Sequence, residues 1–315
     1  MKKLIKFLCL APLLFVAVSC NNADSNSSNI NEESSAMMEP TPVDVIVISG
    51  QSNAVGCTHA NCITRSIGAS KYQDYMRGFE TIKIAYDCWT KDEGPMFYSQ
   101  NKSKNNDFVK VMLGQGNSVA TFGPEIGIAE ALHETHANTL FLIKYACGAS
   151  NLKDDWAKRD SPMYGRFVDY VKAQIENLKS KGYIPTIKAF CWMQGEGDSY
   201  GSDYYNVYRD NLATFVGDMR EDLAKYATDK GIAFIDATIN PDKSVWPNPD
   251  KVNAQKEIFA AESDMNFLIN THEAGMHTDQ EPWGNVDKCH YDSESEVLLG
   301  HLFAEAFEPF LESVK

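Results

Sequence analysis

The chain has 315 residues, of which 43% are hydrophobic and 23% charged, with eight cysteines. That is ordinary globular usage, and it excludes a collagen-like, disordered, disulfide-dense or polytopic membrane chain. Acidic residues (43) outnumber basic ones (29) for a formal charge of −14, which argues against a nucleic-acid binder, whose affinity rests on Lys and Arg neutralising phosphates.

The first segment reads as an address. Lys2, Lys3 and Lys6 precede an apolar run from Leu8 to Val18, and small residues lead into Cys20. This is the layout of a secretory signal, and the run is too short to span a bilayer comfortably. The stretch resembles a bacterial lipoprotein signal, in which the cysteine after the cut is lipidated. The expectation is a signal peptide over 1–19 and an exported protein anchored in the cell envelope only through a lipid on Cys20. Residues 20–42 are rich in Asn and Ser and end in Pro40 and Pro42, so they read as a flexible tether. One domain over 43–315 remains.

Short apolar runs predict strands at Val43–Ile48, Thr81–Ala85, Thr139–Tyr145, Thr186–Trp192 and Ile232–Ile235, with an edge strand at Asn266–Ile269. Apolar residues at helical spacing predict helices over Pro124–Ala137, Tyr164–Lys181 and Asp203–Lys230. A last helix is expected to start at Ser293, where Ser293-x-x-Glu296 has the capping-box pattern. Asp87 to Phe122 is long and polar and reads as an insertion near the site. The alternation predicts an α/β fold, a three-layer α/β/α sandwich with a mostly parallel central sheet. In such sheets ligands bind beyond the carboxyl ends of the strands.

The first strand runs into Ser49-Gly50-Gln51-Ser52-Asn53-Ala54-Val55-Gly56. This matches neither the dinucleotide G-x-G-x-x-G nor the P-loop, which needs a Lys after its last glycine. It approaches G-x-S-x-G, with Ala54 at the last position. A serine at a helix start is commonly an N-cap; with free backbone N–H groups nearby it is also a candidate nucleophile. Near the other end, Asp287-Lys-Cys-His290 places a carboxylate three residues before an imidazole, close enough in a turn to fix its tautomer.

Together, Gly50-Gln51-Ser52-Asn53 and Asp287-x-x-His290 resemble the SGNH hydrolases, in the branch of sialate O-acetylesterases and carbohydrate esterase family six, the acetyl xylan esterases. Phe122-Gly-Pro-Glu125 is similar to that branch's FGPE segment, Lys144 to Leu152 to its K-x-A-x-G-G-T-x-L block, and Trp192 to Asp198 to its W-x-Q-G-E-x-D block. The resemblance runs in order from about Val43 to Phe310. It implies Ser52 as nucleophile, His290 as base and Asp287 as its orienting acid, with Glu196 the alternative acid. It implies an oxyanion hole of the Ser52 N–H, the Gly148 N–H and the Gln194 side-chain amide. Gln51 and Asn53 would shape the elbow, and Glu125 would hydrogen-bond the floor of the site. Ala149 and Ser150 stand where the family has Gly-Thr, so a left-handed conformation at Ala149 would be costly.

Six cysteines follow Cys20. Cys57 and Cys62 share a loop and form the favoured bridge; Cys147 and Cys191 end neighbouring predicted strands and read as paired or simply buried. His272, His277, Cys289 and His290 fit no zinc spacing, so neither a metal nor an organic cofactor is expected. Trp283, four residues before Asp287, and Trp156, after the oxyanion block, are the candidate sugar platforms. The expected activity is hydrolysis of O-acetyl groups on an oligo- or polysaccharide through an acyl-enzyme. A lipase or thioesterase on the same fold, and a non-catalytic glycan binder derived from an esterase, are the rival readings.

Overall fold

The strands follow the apolar runs. In the computed structural model, which describes residues 39–92 and 94–312, they are β1 Thr41–Gly50, β2 Thr58–His59, β3 Phe79–Lys91, β4 Phe97–Lys102, β5 Val109–Val111, β6 Thr121–Phe122, β7 Leu140–Gly148, β8 Tyr183–Met193, β9 Ala233–Ala237 and β10 Asn266–Ile269. The signal, Cys20 and most of the tether lie outside the described residues. The tether's expected end is two residues too late, because β1 already begins at Thr41.

The main sheet has the order β10-β9-β8-β1-β7-β3-β4, with β5 also paired to β3. From β10 to β3 every pairing is parallel, and only β4 and β5 run antiparallel. Every residue of β7, and Val43 to Gly50 of β1, is buried, so both sheet faces are covered. A run such as Val45-Ile46-Val47-Ile48 suits this position, and each such side chain contributes about 1.5–3 kcal/mol on burial. The sheet is flanked by helices, as the alternation predicts.

The α-helices are α1 Ser52–Val55, α2 Ala69–Arg77, α3 Glu125–Leu132, α4 Tyr164–Ser180, α5 Ser202–Tyr205, α6 Tyr208–Asp222, α7 Pro249–Ala260 and α8 Ser293–Phe307. The expected helix over Asp203–Lys230 is divided: α5 and α6 are separated at Asn206–Val207, where Val207 leaves helical geometry. α7 was not anticipated, although Pro249 at its first turn and buried Val252, Lys256 and Phe259 supply a helical stripe. The expected capping box at α8 does not form. Ser293 instead bonds the Glu281 carboxylate through its N–H (2.7 Å) and Oγ (2.9 Å), and Glu296 is fully buried with neither oxygen bonded. The polar stretch after Asp87 is largely the antiparallel edge of the sheet. No helix among the described residues is long and apolar enough to cross a membrane.

Central position decides where the motifs meet. β1 lies between β7 and β8, with Gly50 in register with Ala146 on one side and Met193 on the other. Three motif-bearing segments therefore end side by side at the carboxyl edge.

Candidate active site

The site starts with a glycine that nothing else can replace. Gly50 has φ +136°, and a Cβ there would lie 2.0 Å from the Met193 carbonyl oxygen. The chain turns at Gln51, whose N–H donates to that same carbonyl at 2.9 Å, and α1 begins at Ser52. The first N–H groups of a helix have no partner inside it, so the Ser52 N–H is available to a ligand. Gln51 is buried and ties the elbow to the next block: its Oε1 accepts from Gly195 N (3.3 Å), Gly197 N (3.2 Å) and Gln194 Nε2 (3.3 Å). Asn53 does the same in two directions, donating to Glu196 Oε1 at 2.8 Å and accepting from Tyr291 N at 3.2 Å.

The floor below α1 is ionic. Lys144 and Glu125 are fully buried, 2.7 Å apart. Lys144 Nζ also donates to the Val55 carbonyl at 3.0 Å and the Gln115 carbonyl at 2.6 Å. Burial works against the ammonium, but Glu125 more than offsets it and holds the lysine above its ordinary pKa. The glutamate of the FGPE segment and the lysine of the K-x-A block are thus one clamp on the end of α1.

His290 and Asp287 sit on the loop before α8. Nδ1 of His290 is 2.6 Å from Asp287 Oδ2, and Asp287 Oδ1 accepts from Cys289 N at 2.9 Å. The hydrogen bond to His290 lowers the Asp287 pKa. Burial opposes charge on the imidazole, but the Asp287 carboxylate and the Cys57 thiol beside it outweigh that and hold its pKa above the ordinary histidine value. Glu196, the alternative acid, bonds Asn53 rather than His290, and burial raises its pKa.

Ser52, Gly148 and His290 line one cavity of about 430 Å³, together with Asn117, Tyr200 and Trp246. That is within the ordinary range of a small-ligand site. The Ser52 Oγ makes no hydrogen bond among the described residues; with Nδ1 of His290 taken by Asp287, Nε2 is the nitrogen left for the cavity. Ala149, on the same wall, adopts φ +58°, the left-handed conformation expected to be costly at that position.

Three expectations need correction. Gln194 is fully buried, and its amide nitrogen is directed inward, to Asp198 Oδ2 at 2.6 Å and Gln51 at 3.3 Å, while Tyr208 donates to its Oε1 at 3.0 Å. It is not part of the cavity lining. Its strong acceptor, Asp198, is itself pushed up to about 6 by burial. Trp156 has no exposed surface: it packs edge-on against Trp192 and Phe215 and donates to Ser150 Oγ at 2.9 Å, so it cannot meet a sugar. Trp283 is exposed but stands apart from the cavity, with the Arg65 guanidinium 4.3 Å over its ring.

The aromatic rim consists instead of Trp246 and Tyr200, edge-to-face with ring centroids 6.0 Å apart. The Trp246 indole N–H is buried without a partner. Neither residue belongs to a motif. The one sequence signal was that Tyr200 lies two residues beyond the W-x-Q-G-E-x-D block.

No disulfide forms among the described cysteines. Cys57 and Cys62 are both free thiols. Cys147 and Cys191 lie on β7 and β8 with β1 between them, so ordinary strand spacing alone puts them at least about 10 Å apart, too far for a bridge. His277, Asp279 and Asp292 bring ligand atoms within 4.8 Å of one another. Asp292, however, already accepts from His277 and two backbone N–H groups, which leaves it little capacity for an ion.

A mostly parallel sheet carrying a serine elbow on its first, central strand and a histidine–aspartate turn before its last helix defines an SGNH-like hydrolase. The chain belongs to the carbohydrate esterase, sialic acid-specific acetylesterase family, whose model matches residues 42–308. Among solved structures it is similar to NanS, with a TM-score of 0.58 and 15% identity over 87% of this chain and 98% of that one. It is similar to an Arabidopsis thaliana protein with a TM-score of 0.56 and 20% identity over 86% and 100%. A carbohydrate acetylesterase from Xanthomonas citri shares a TM-score of 0.52 and 14% identity over 85% of this chain and 56% of that one. No curated protein matches.

Proposed function

We propose that the protein is a serine esterase that removes O-acetyl groups from carbohydrate. The observation that carries the reading is the convergence of Ser52, the Gly148 backbone and the Asp287-held His290 on one cavity. Ser52 Oγ attacks the ester carbonyl as His290 Nε2 takes its proton. The Ser52 and Gly148 N–H groups receive the oxyanion. Asn117, which lines the cavity and whose side-chain amide makes no hydrogen bond among the described residues, takes the third place in the hole in preference to Gln194. The sugar leaves with the imidazolium proton, and water activated by His290 releases acetate from the acyl-enzyme.

The cavity lining favours a neutral acetylated sugar over a sialic acid. Apart from His290 no basic side chain lines it, so a carboxylate on the substrate would have no lysine or arginine partner. Tyr200, exposed and braced by Trp246, offers an apolar face to a pyranose ring instead. On the sequence of residues 1–42, the enzyme would act outside the cytoplasm, anchored through a lipid on Cys20.

The test is acetate release from acetylated xylan, from O-acetyl sialosides and from esters of increasing acyl length, by the wild type and Ser52→Ala. Release from the neutral acetyl glycan, abolished in the variant, is expected. Equal activity in Ser52→Ala overturns the reading, and a preference for long acyl chains reassigns the protein to lipases or thioesterases.

A further inference from the structure

Cys57 stands immediately after the nucleophile helix, and its position is fixed. Gly56 before it has φ +91°, and a Cβ there would meet the Phe122 carbonyl carbon at 2.4 Å. The Gly56 N–H donates to the Ser52 carbonyl at 2.9 Å, and its own carbonyl accepts from Asn117 N at 2.8 Å. The half-buried thiol that follows lines the cavity shared by Ser52 and His290. It also lines a second, water-sized space of about 10 Å³ bounded by Asp287, His290 and Glu281. Cys57 and His290 therefore border the same two spaces.

We propose that Cys57 is an oxidation site: its sulfur, seated against His290 in the wall of the Ser52 cavity, reacts with hydrogen peroxide to a sulfenic acid that switches the site off. The Cys57 proton passes to the His290 imidazole. The thiolate sulfur attacks one peroxide oxygen; the S–O bond forms, the O–O bond breaks, and the departing hydroxide takes the proton from the imidazolium to leave as water. Sulfur loses two electrons and the peroxide gains them. The product adds an oxygen to the wall of the cavity that Ser52 and His290 share. A second thiol reduces it through a mixed disulfide.

Selectivity follows from the surroundings. His290 is placed to take the thiol proton as the sulfur attacks, and its pairing with Asp287 keeps the imidazole basic. The other described cysteines lack this setting. Cys62, Cys88, Cys147 and Cys191 are buried, and burial pushes Cys62 and Cys88 up to about 12. Cys289 also reaches the cavity, but burial and the neighbouring Asp287 carboxylate raise its pKa.

The loss of esterase activity rests on the reading above, but the chemistry of Cys57 does not, and the experiment separates them. The intact protein is treated with hydrogen peroxide in the presence of a cyclic 1,3-diketone that traps sulfenic acids, and the labelled residue is located by peptide mass. Labelling at Cys57 is expected, slowed by about tenfold or more in His290→Gln, where no imidazole can take the proton. Asp287→Asn provides the same comparison if His290→Gln does not fold. Wild-type acetyl-ester hydrolysis should fall in step with labelling and return with dithiothreitol. Residual activity of Cys57→Ser should be insensitive to peroxide. Label on Cys289 or spread over all cysteines, or a Cys57 rate unchanged in both variants, overturns the proposal. His290-dependent labelling in a protein with no esterase activity leaves the oxidation site standing and removes the proposed function.

Discussion

His277 Nδ1 and Asp292 Oδ2 stand 2.6 Å apart, closing the neck of the loop that carries Asp287 and His290. Asp292 also accepts from Gln280 N at 3.0 Å and Glu281 N at 2.8 Å, and its own N–H donates to the His277 carbonyl at 3.1 Å. The Glu281 carbonyl in turn accepts from Asp287 N at 2.8 Å. One buried carboxylate thus sets where the histidine–aspartate pair is presented. Asp292→Ala is expected to lose about 3 kcal/mol in urea unfolding, since it strands several donors of a charged acceptor. At temperatures where the variant is still folded, kcat for an acetyl ester should fall more than KM rises. Asp292→Asn, which keeps one acceptor, should recover part of both. Unchanged kcat in a folded Asp292→Ala would remove the loop's positioning role.

The His290–Asp287 pair fixes the sign of the pH dependence. His290 is held above the ordinary 6.5, and as the proposed base it must be neutral, so the rising limb of kcat/KM should have its midpoint above 6.5. Asp287→Asn removes the carboxylate, so the limb should move to lower pH while kcat falls by about 10³–10⁴-fold. In stability, the histidine's share is full below 6.5 and fades as pH rises through its folded pKa. The aspartate's share is full above 3.8 and fades as pH falls through its lowered folded value. The pair therefore contributes most between these two ordinary values. A pH–rate limb unaltered in Asp287→Asn would contradict the assignment.

Asn117 and Gln194 make opposite predictions. If Asn117 donates to the oxyanion, Asn117→Ala should cost about 10²–10³ in kcat with the melting temperature nearly unchanged. Gln194→Ala breaks a buried network with Asp198, Gln51 and Tyr208, so it should lower the melting temperature as well as the rate. Stopped-flow hydrolysis and thermal melts of the two variants decide between them.

Ala149 carries strain that can be relieved. Its φ of +58° costs an L-residue about 1–2 kcal/mol, against roughly 0.5–1 kcal/mol of extra chain entropy when glycine replaces it. Ala149→Gly should therefore be up to about 1 kcal/mol more stable by urea titration, and a destabilised variant would show that the backbone there is held by something other than local preference.

The buried strands were legible because parallel strands covered on both faces appear as unbroken apolar runs, as in Val43 to Ile48. Ser52 was legible because its turn closes such a strand, and Asp287 with His290 because three residues of spacing settle their geometry without help from the fold. What the sequence hid depends on contacts between distant segments. Trp246 and Asn117 come from loops without periodicity and meet Ser52 only in space. Trp156 looked available because it follows the oxyanion block, yet the aromatic layer on that side of the sheet absorbs it. Ser293-x-x-Glu296 had the spacing of a cap, but Glu281 from another part of the loop reached the helix start first.

Lys144 has three protons and three acceptors: the Glu125 carboxylate, the Val55 carbonyl and the Gln115 carbonyl. Each ammonium proton beneath the Ser52 turn is therefore matched by its own acceptor. A change of ester specificity is expected to come from above, through side chains such as Thr90, Tyr200 and Trp246, which line the cavity and take no part in the clamp. The fold separates a part that must stay as it is from a part that can be rewritten.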